Sequence, residues 1–511
     1  MTRLSPCRAV LAIIFFFSAI RLLLAATIGL GVDESYVVAV ARSFSLSYFD
    51  HPPLHFWLVW LTTHLTGSES PLSVRLPFIL LFAGTTWLMF RLTRSLFGEW
   101  AGVYAAIFLS ISPVFSLSTG SWVLPDGPLM FCLMAAALTL ARISFPLQPP
   151  KPPLKNWLLA GFWLGLGLLS KYHAIFLVFG FLLFVLTSKT RRPLLLSAGP
   201  YLAIALAALL FPPVLIWNFE HGWVSFLFQS GRGVPTGFNL GNLLANMAGQ
   251  AVWLLPWIWL PLVWSTLKVV VPGSDQTVTP DLQLHRWFLI CLAIGPIATF
   301  SLIALWGGQG LFHWQAPGYL FLFPLLGDMA AKAADKGSQL VRWWLRGSVA
   351  AFLAILLLLG SQTATGWMGD TFPDLFPAGD PTLEALDWRD IAPTLAAKGL
   401  LNSSAGFVVS GNWIDAGKLD YALGGRLPVL CLDQSPHQFA FKSAAKDYQG
   451  QDALIIGRRQ VIGDAVAFAP YFDAITPLGT VPVRRHGRTE FELNLFYASN
   501  FKGHYPLPYG Q

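Results

Sequence analysis

Long apolar runs separated by short polar connections carry the chain from its N-terminus to about residue 363, where the texture changes. The first run covers about residues 9–28 and follows Arg3 and Arg8, as expected of a helix entering a membrane from the cytoplasm. It is long and has no small-residue cleavage site near Thr27, which favours a retained span over a signal peptide. Arg21, near its outer end, is placed to snorkel or to pair with an acid such as Asp33. Later runs predict helices at about 72–92, 100–118, from Asp126 to Arg142, 194–216, up to Lys268, up to Trp306, up to about 330, and 347–363. The run 157–187 is interrupted by Ser170-Lys171-Tyr172-His173. A single span there would hold Lys171 at the bilayer centre at a cost of about 2.5–3.5 kcal/mol. Two short helices turning at Lys171 are therefore expected. Between residues 29 and 71, two patterns at about 34–46 and 53–66 are too short and mixed to cross, and are expected to lie along the interface. The threading gives about eleven spans.

After residue 363 the period shortens. Gly406-Phe407-Val408-Val409-Ser410, Pro428-Val429-Leu430-Cys431-Leu432 and Ala453-Leu454-Ile455-Ile456-Gly457 read as buried strands bounded by turn residues. Helical patterns at Asp390–Lys398 and Ala416–Leu423 lie between them, which predicts a small α/β domain with a mixed sheet. The expected organisation is a polytopic α-helical membrane domain, 1–363, followed by a C-terminal α/β domain, 364–511. Outer loops fall at 29–71, 118–126, 217–245 and 305–316.

Composition agrees with a membrane protein. Of 511 residues, 55% are hydrophobic and only 12% charged, outside the usual range of soluble domains. By the threading, inner loops and helix ends hold about sixteen Lys/Arg and the outer side about four, the positive-inside pattern. An odd span number then leaves the C-terminal domain outside. The net charge of +7 is accounted for by those cytoplasmic loops and is no nucleic-acid footprint. The four cysteines, Cys7, Cys132, Cys291 and Cys431, show no CxxC spacing, so neither a disulfide framework nor a zinc site is supported.

The unusual polar residues all thread to the outer face. Asp33 either caps the short helix starting near Glu34 or serves as a general base, and Glu34 favours a helix N-terminus in either case. Asp50-His51-Pro52-Pro53 reads as a helix start with proline in its first turn, or as a pair fixed toward a site. In the second reading His51 donates to a phosphate, and Asp50 orients it or joins it on a metal; no ligand spacing calls for that metal. Asp126 after Pro125 either caps the next helix or contributes an acid. Lys171 and Arg232 are interfacial cations or phosphate ligands. His221 and His313 fit an aromatic belt better than a ligand role, although His313 threads to the same face.

The residues Asp33-Glu34-Ser35-Tyr36, then Tyr48-Phe49-Asp50-His51-Pro52-Pro53-Leu54, then Ser73-Val74-Arg75-Leu76-Pro77 resemble the bacterial protein-mannosyltransferase-like membrane glycosyltransferases, which have the GT-C fold. Pro125-Asp126-Gly127-Pro128, Leu168-Leu169-Ser170-Lys171-Tyr172, Trp217-Asn218 to Gln229 and His313-Trp314-Gln315-Ala316-Pro317 look like later blocks of that family. The similarity covers most of residues 15–330. It implies a sugar donor carried on a polyprenyl phosphate and transfer to a lipid or glycan acceptor on the outer side of the bacterial inner membrane. It also implies Asp33 as the base and Asp126 as the second-loop acid, with Glu34, Tyr36, Asp50, His51, Lys171, Arg232 and His313 around the substrates. Family members that transfer aminoarabinose have lysine in the acid-Lys-Pro-Pro element where this chain has His51, which argues against that specificity here. The expected function is an inverting glycosyltransferase acting on lipid A, lipopolysaccharide or another envelope glycan, with protein O-mannosyltransferase-like activity as the near alternative. A flippase or transporter would show repeated halves with interrupted helices, and no repeat is present. A membrane-anchored binding protein would place its function in the C-terminal domain instead.

Overall fold

The computed structural model describes residues 5–146, 153–231, 237–271, 279–307, 310–377 and 379–503. The chain forms two compact units. One comprises Met1–Leu22, His51–His55 and Leu76–Ala354; the other comprises Leu23–Asp50, Phe56–Arg75 and Ile355–Gln511.

The first unit is helical. Among the described residues of the chain, five helices are long and apolar enough to cross a membrane: Pro6–Thr27, Pro71–Phe97, Asp126–Ser144, Pro280–Trp306 and Gln339–Thr365. Two bent pairs add up to two more, against the eleven spans expected. The other expected runs form shorter helices, and the two bent pairs are runs broken partway. Gly199–Leu210 and Pro212–Glu220 meet at 43°, and Leu240–Leu254 and Pro256–Val270 at 108°, each with proline opening the second helix. The run expected at 100–118 is a helix only over Glu99–Ile111, followed by a π-helical turn at Val114–Thr119. The interruption at Lys171 is as expected: Leu154–Ser170 ends there, a 3₁₀ turn covers Tyr172–Ala174, and Ile175–Thr187 follows.

Small residues set the close packing of this unit. Gly161 and Gly165 form a GxxxG face on Leu154–Ser170, against Ala203 and Ala207 of Gly199–Leu210. A Cβ on Gly161 would lie 2.3 Å from the Ala203 carbonyl oxygen. Gly161→Leu is therefore expected to destabilise the unit by about 1–3 kcal/mol through overpacking. Thermal unfolding in detergent checks this; an unchanged midpoint would show that the two helices separate freely. Arg21 is buried in this unit. Its guanidinium bonds to Ser116 (2.7 Å to Oγ, 3.1 Å to the carbonyl) and lies 4.3 Å from the centre of the Phe82 ring.

The second unit contains a five-stranded mixed sheet: β1 (Ala405–Ser410), β2 (Val429–Cys431), β3 (Asp452–Arg458), β4 (Ala474–Arg485) and β5 (Arg488–Ser499), in the order β2-β1-β3-β5-β4. The β1/β2 and β1/β3 pairs are parallel and the β3/β5 and β4/β5 pairs antiparallel. The parallel strands are the three apolar runs, buried on both faces as such strands must be. Helix Trp413–Leu423 makes the crossover from β1 to β2. Phe407, Val409, Ile455, Phe468, Phe472 and Phe501 form the core on one face of the sheet. The β4–β5 hairpin turns through His486 and Gly487, both at positive φ, the geometry that a two-residue hairpin turn demands.

Candidate active site

In the second unit, the chain leaving the first apolar helix enters helix Val32–Ala41 with Gly31 at its N-cap. Asp33 is thus inside the first turn rather than capping it, and Glu34 supplies the cap: its Oε2 accepts from the Gly31 N–H at 2.8 Å. Arg75 meets both Glu34 oxygens, at 2.8 and 2.6 Å, in a buried bidentate pair. The same guanidinium donates to the Ile28 and Gly29 carbonyls at 2.7 Å each. Tyr36 and Asp50 are drawn into one buried cluster. The Tyr36 hydroxyl donates to Asp50 Oδ2 and accepts from the Gln438 N–H at 2.9 Å. His437 Nδ1 bonds the other Asp50 oxygen while its ring stacks on Trp413. Asp50 therefore joins the first loop to the C-terminal region, its two oxygens bonded to Tyr36 and His437. Among the described residues, no group of three or more His, Cys, Asp or Glu is arranged to hold a metal ion. Of the acids in 29–50, Glu34 and Asp50 are buried and Asp33 is exposed.

A tight helix crossing backs this loop. Gly417 of Trp413–Leu423 lies against Tyr36, where a Cβ would come within 2.9 Å of its Cα. Nearby, Arg42 bridges Glu69, at 2.7 Å, and Asp420, and Lys442 also bonds Asp420.

In the first unit, the break at Lys171 brings its Nζ to 2.9 Å from both oxygens of Asp126, the first residue of Asp126–Ser144. Both side chains are buried. The Ser170 hydroxyl donates to the Pro125 carbonyl at 2.6 Å, which ties the two chain breaks together. His313 and His173 are close enough to interact electrostatically with Asp126. His51, also in this unit, is half-buried, its ring 5.8 Å from that of His55. Arg232 lies outside the described residues. A buried polar chain that sequence reading missed lies deeper: Asn246 Oδ1 accepts from Gln250 and Gln315, and Tyr319 donates to Gln250. Asn246 and Gln250 lie one turn apart on helix Leu240–Leu254, while Gln315 and Tyr319 come 69 positions later, a separation that no local pattern bridges.

Residues 50–217 match the family model described as dolichyl-phosphate-mannose-protein mannosyltransferase. The matched stretch contains Asp126 and Lys171 and begins after Asp33. The chain is 24% identical over 248 residues to the lipid A galacturonosyltransferase RgtD of Rhizobium johnstonii; the alignment covers 48% of this chain and spans about half the length of that relative. It also superposes on ArnT from Cupriavidus metallidurans. The apo form gives a TM-score of 0.60 at 15% identity, and the form bound to undecaprenyl phosphate gives 0.59 at 17%. Each match covers 94% of this chain and 97% of the other. The chain has the GT-C fold seen in ArnT. The superposition extends the GT-C likeness over the C-terminal sheet as well as the helices, while the sequence match to the family model lies wholly before it.

Proposed function

We propose that this GT-C protein is an inverting glycosyltransferase of the bacterial inner membrane, taking a sugar from a polyprenyl-phosphate donor and passing it to a periplasmic acceptor, lipid A or another envelope glycan. The observation that carries the reading is the exposure of Asp33 beside a buried, fully engaged Glu34. An exposed carboxylate on a fixed helix turn can take the proton of an acceptor hydroxyl as its oxygen attacks the anomeric carbon. The bond from that carbon to the phosphate oxygen breaks, and polyprenyl phosphate leaves with the electron pair. An ammonium carries three N–H donors. Two on Lys171 go to Asp126, and the third serves the departing phosphate in this reading, with Arg232 and the imidazoles of His51 and His313 as further donors. Asp126 is then the acid that orients Lys171. The long apolar helices keep the donor's lipid tail in the bilayer while its sugar reaches the outer face.

Mass spectrometry of envelope lipids, glycans and glycoproteins from a deletion strain and its complemented counterpart tests this. One sugar-bearing species is expected to disappear on deletion and return on complementation. Unchanged profiles in all three fractions would overturn the proposal. The mannosyltransferase match makes a protein acceptor the second reading, and loss confined to glycoproteins would select it.

A further inference from the structure

The segment Ile28–Gly31, immediately before Asp33, has its backbone held from several directions. Arg75 takes the Ile28 and Gly29 carbonyls, and Glu34 takes the Gly31 N–H. The Leu30 N–H donates to Asp387 Oδ1 at 2.8 Å. Lys418 Nζ donates to the Leu30 carbonyl at 2.6 Å, and its other two donors go to the Glu384 and Leu386 carbonyls at 2.8 and 2.9 Å. Lys418 is buried, yet its ammonium faces three carbonyl oxygens and, among the described residues, lies against no carboxylate at bonding distance. Such a group is costly to bury and is retained only where its geometry matters. Gly29 is part of the same device: a Cβ there would lie 2.5 Å from Asp387 Oδ1 and 2.7 Å from the Ala385 carbonyl, so only glycine lets the loop approach so closely.

We propose that the C-terminal α/β domain is the positioning element of the catalytic loop, with Lys418 and Asp387 gripping the Leu30 peptide and thereby fixing where Asp33 presents its carboxylate. The consequence for catalysis rests on Asp33 being the base. Lys418 touches no substrate in this scheme; it acts through the loop. A displacement of about 1 Å at a reacting group can cost a hundredfold in rate, so the grip need move little to matter.

Protonation gives the device a signature. Burial lowers the Lys418 pKa to about 8, against the opposing pull of Asp387, Glu34 and Glu384 and with a further lowering from Arg75. Below that value three N–H donors serve three carbonyls. Above it the neutral amine has two, and one carbonyl loses its partner. Wild-type turnover is therefore expected to fall as pH rises through about 8, and Lys418→Met to lack that limb.

The full-length protein in detergent tests the proposal in two arms. The first is hydrogen exchange of peptides covering residues 28–35, which needs no substrate: Lys418→Met and Asp387→Asn are each expected to speed exchange there at least tenfold, with the β1–β3 peptides unchanged. The second is transfer from the polyprenyl-phosphate sugar pool extracted from the same membranes. Turnover is expected to fall at least tenfold with the donor KM within twofold, and the alkaline limb to vanish in Lys418→Met. Unchanged exchange in both variants overturns the grip. Faster exchange with unchanged turnover overturns its catalytic meaning. Asp33→Asn with full activity removes the base reading while the exchange arm still reports on the grip. If Lys418→Met does not fold, Asp387→Asn carries both arms.

Discussion

Asp33→Asn is expected to lower sugar transfer by about a hundredfold to ten-thousandfold, the range a positioned general base contributes. The amide keeps the size of the carboxylate and removes the proton acceptor. Glu34, and not Asp33, accepts the Gly31 N–H and pairs with Arg75, so the substitution leaves those anchoring bonds in place. Melting behaviour and expression should therefore match wild type, which makes the loss readable as chemistry. Single-turnover rates with the extracted donor pool, at matched protein level, make the measurement. Retained full activity would remove Asp33 as the base, and attention would pass to the acid at Asp126.

The second large effect concerns the pair between Asp126 and Lys171. Both side chains are buried, with the ammonium at 2.9 Å from each carboxylate oxygen. Lys171→Met leaves Asp126 with a buried, uncompensated charge, and a loss of about 3–5 kcal/mol is expected. Combining it with Asp126→Asn removes the stranded charge and should recover most of that stability. Turnover should stay low in the double variant, since the Lys171 ammonium no longer serves the donor phosphate. Unfolding in detergent and turnover, measured on the same four proteins, separate the two contributions. A double variant as unstable as Lys171→Met would show that the pair matters for packing and not for charge balance.

Much of this was legible in the sequence, for physical reasons that differ by region. The parallel strands announced themselves as unbroken apolar runs, because both of their faces are covered. The turn at Lys171 was forced by the cost of a charge at mid-membrane. The β4–β5 hairpin escaped notice because β4 carries Pro477, Gly479 and Pro482 and neither strand is a continuous apolar run; the His486-Gly487 turn between two alternating segments was the available signal. The Tyr36–Asp50–His437 cluster left no trace in the local pattern because His437 lies 387 positions from Asp50. The part played by Glu34 was hidden for a related reason: Arg75 stood in a noted motif, but no spacing rule links residue 34 to residue 75. Lys418 and Asp387 had no local signal at all.

The grip on Leu30 also has a timetable. Lys418 lies 388 positions after the residue it holds. At about 5–20 residues per second, a ribosome reaches it roughly 20 to 80 s after Leu30 has been made. Through that interval the first loop has its early partners, such as Arg75, 41 positions from Glu34, but not the grip on Leu30. A nascent chain is therefore inserted into the membrane well before its loop can close, and a product truncated ahead of the sheet carries that loop unfinished. Completing the site is one of the last events of synthesis.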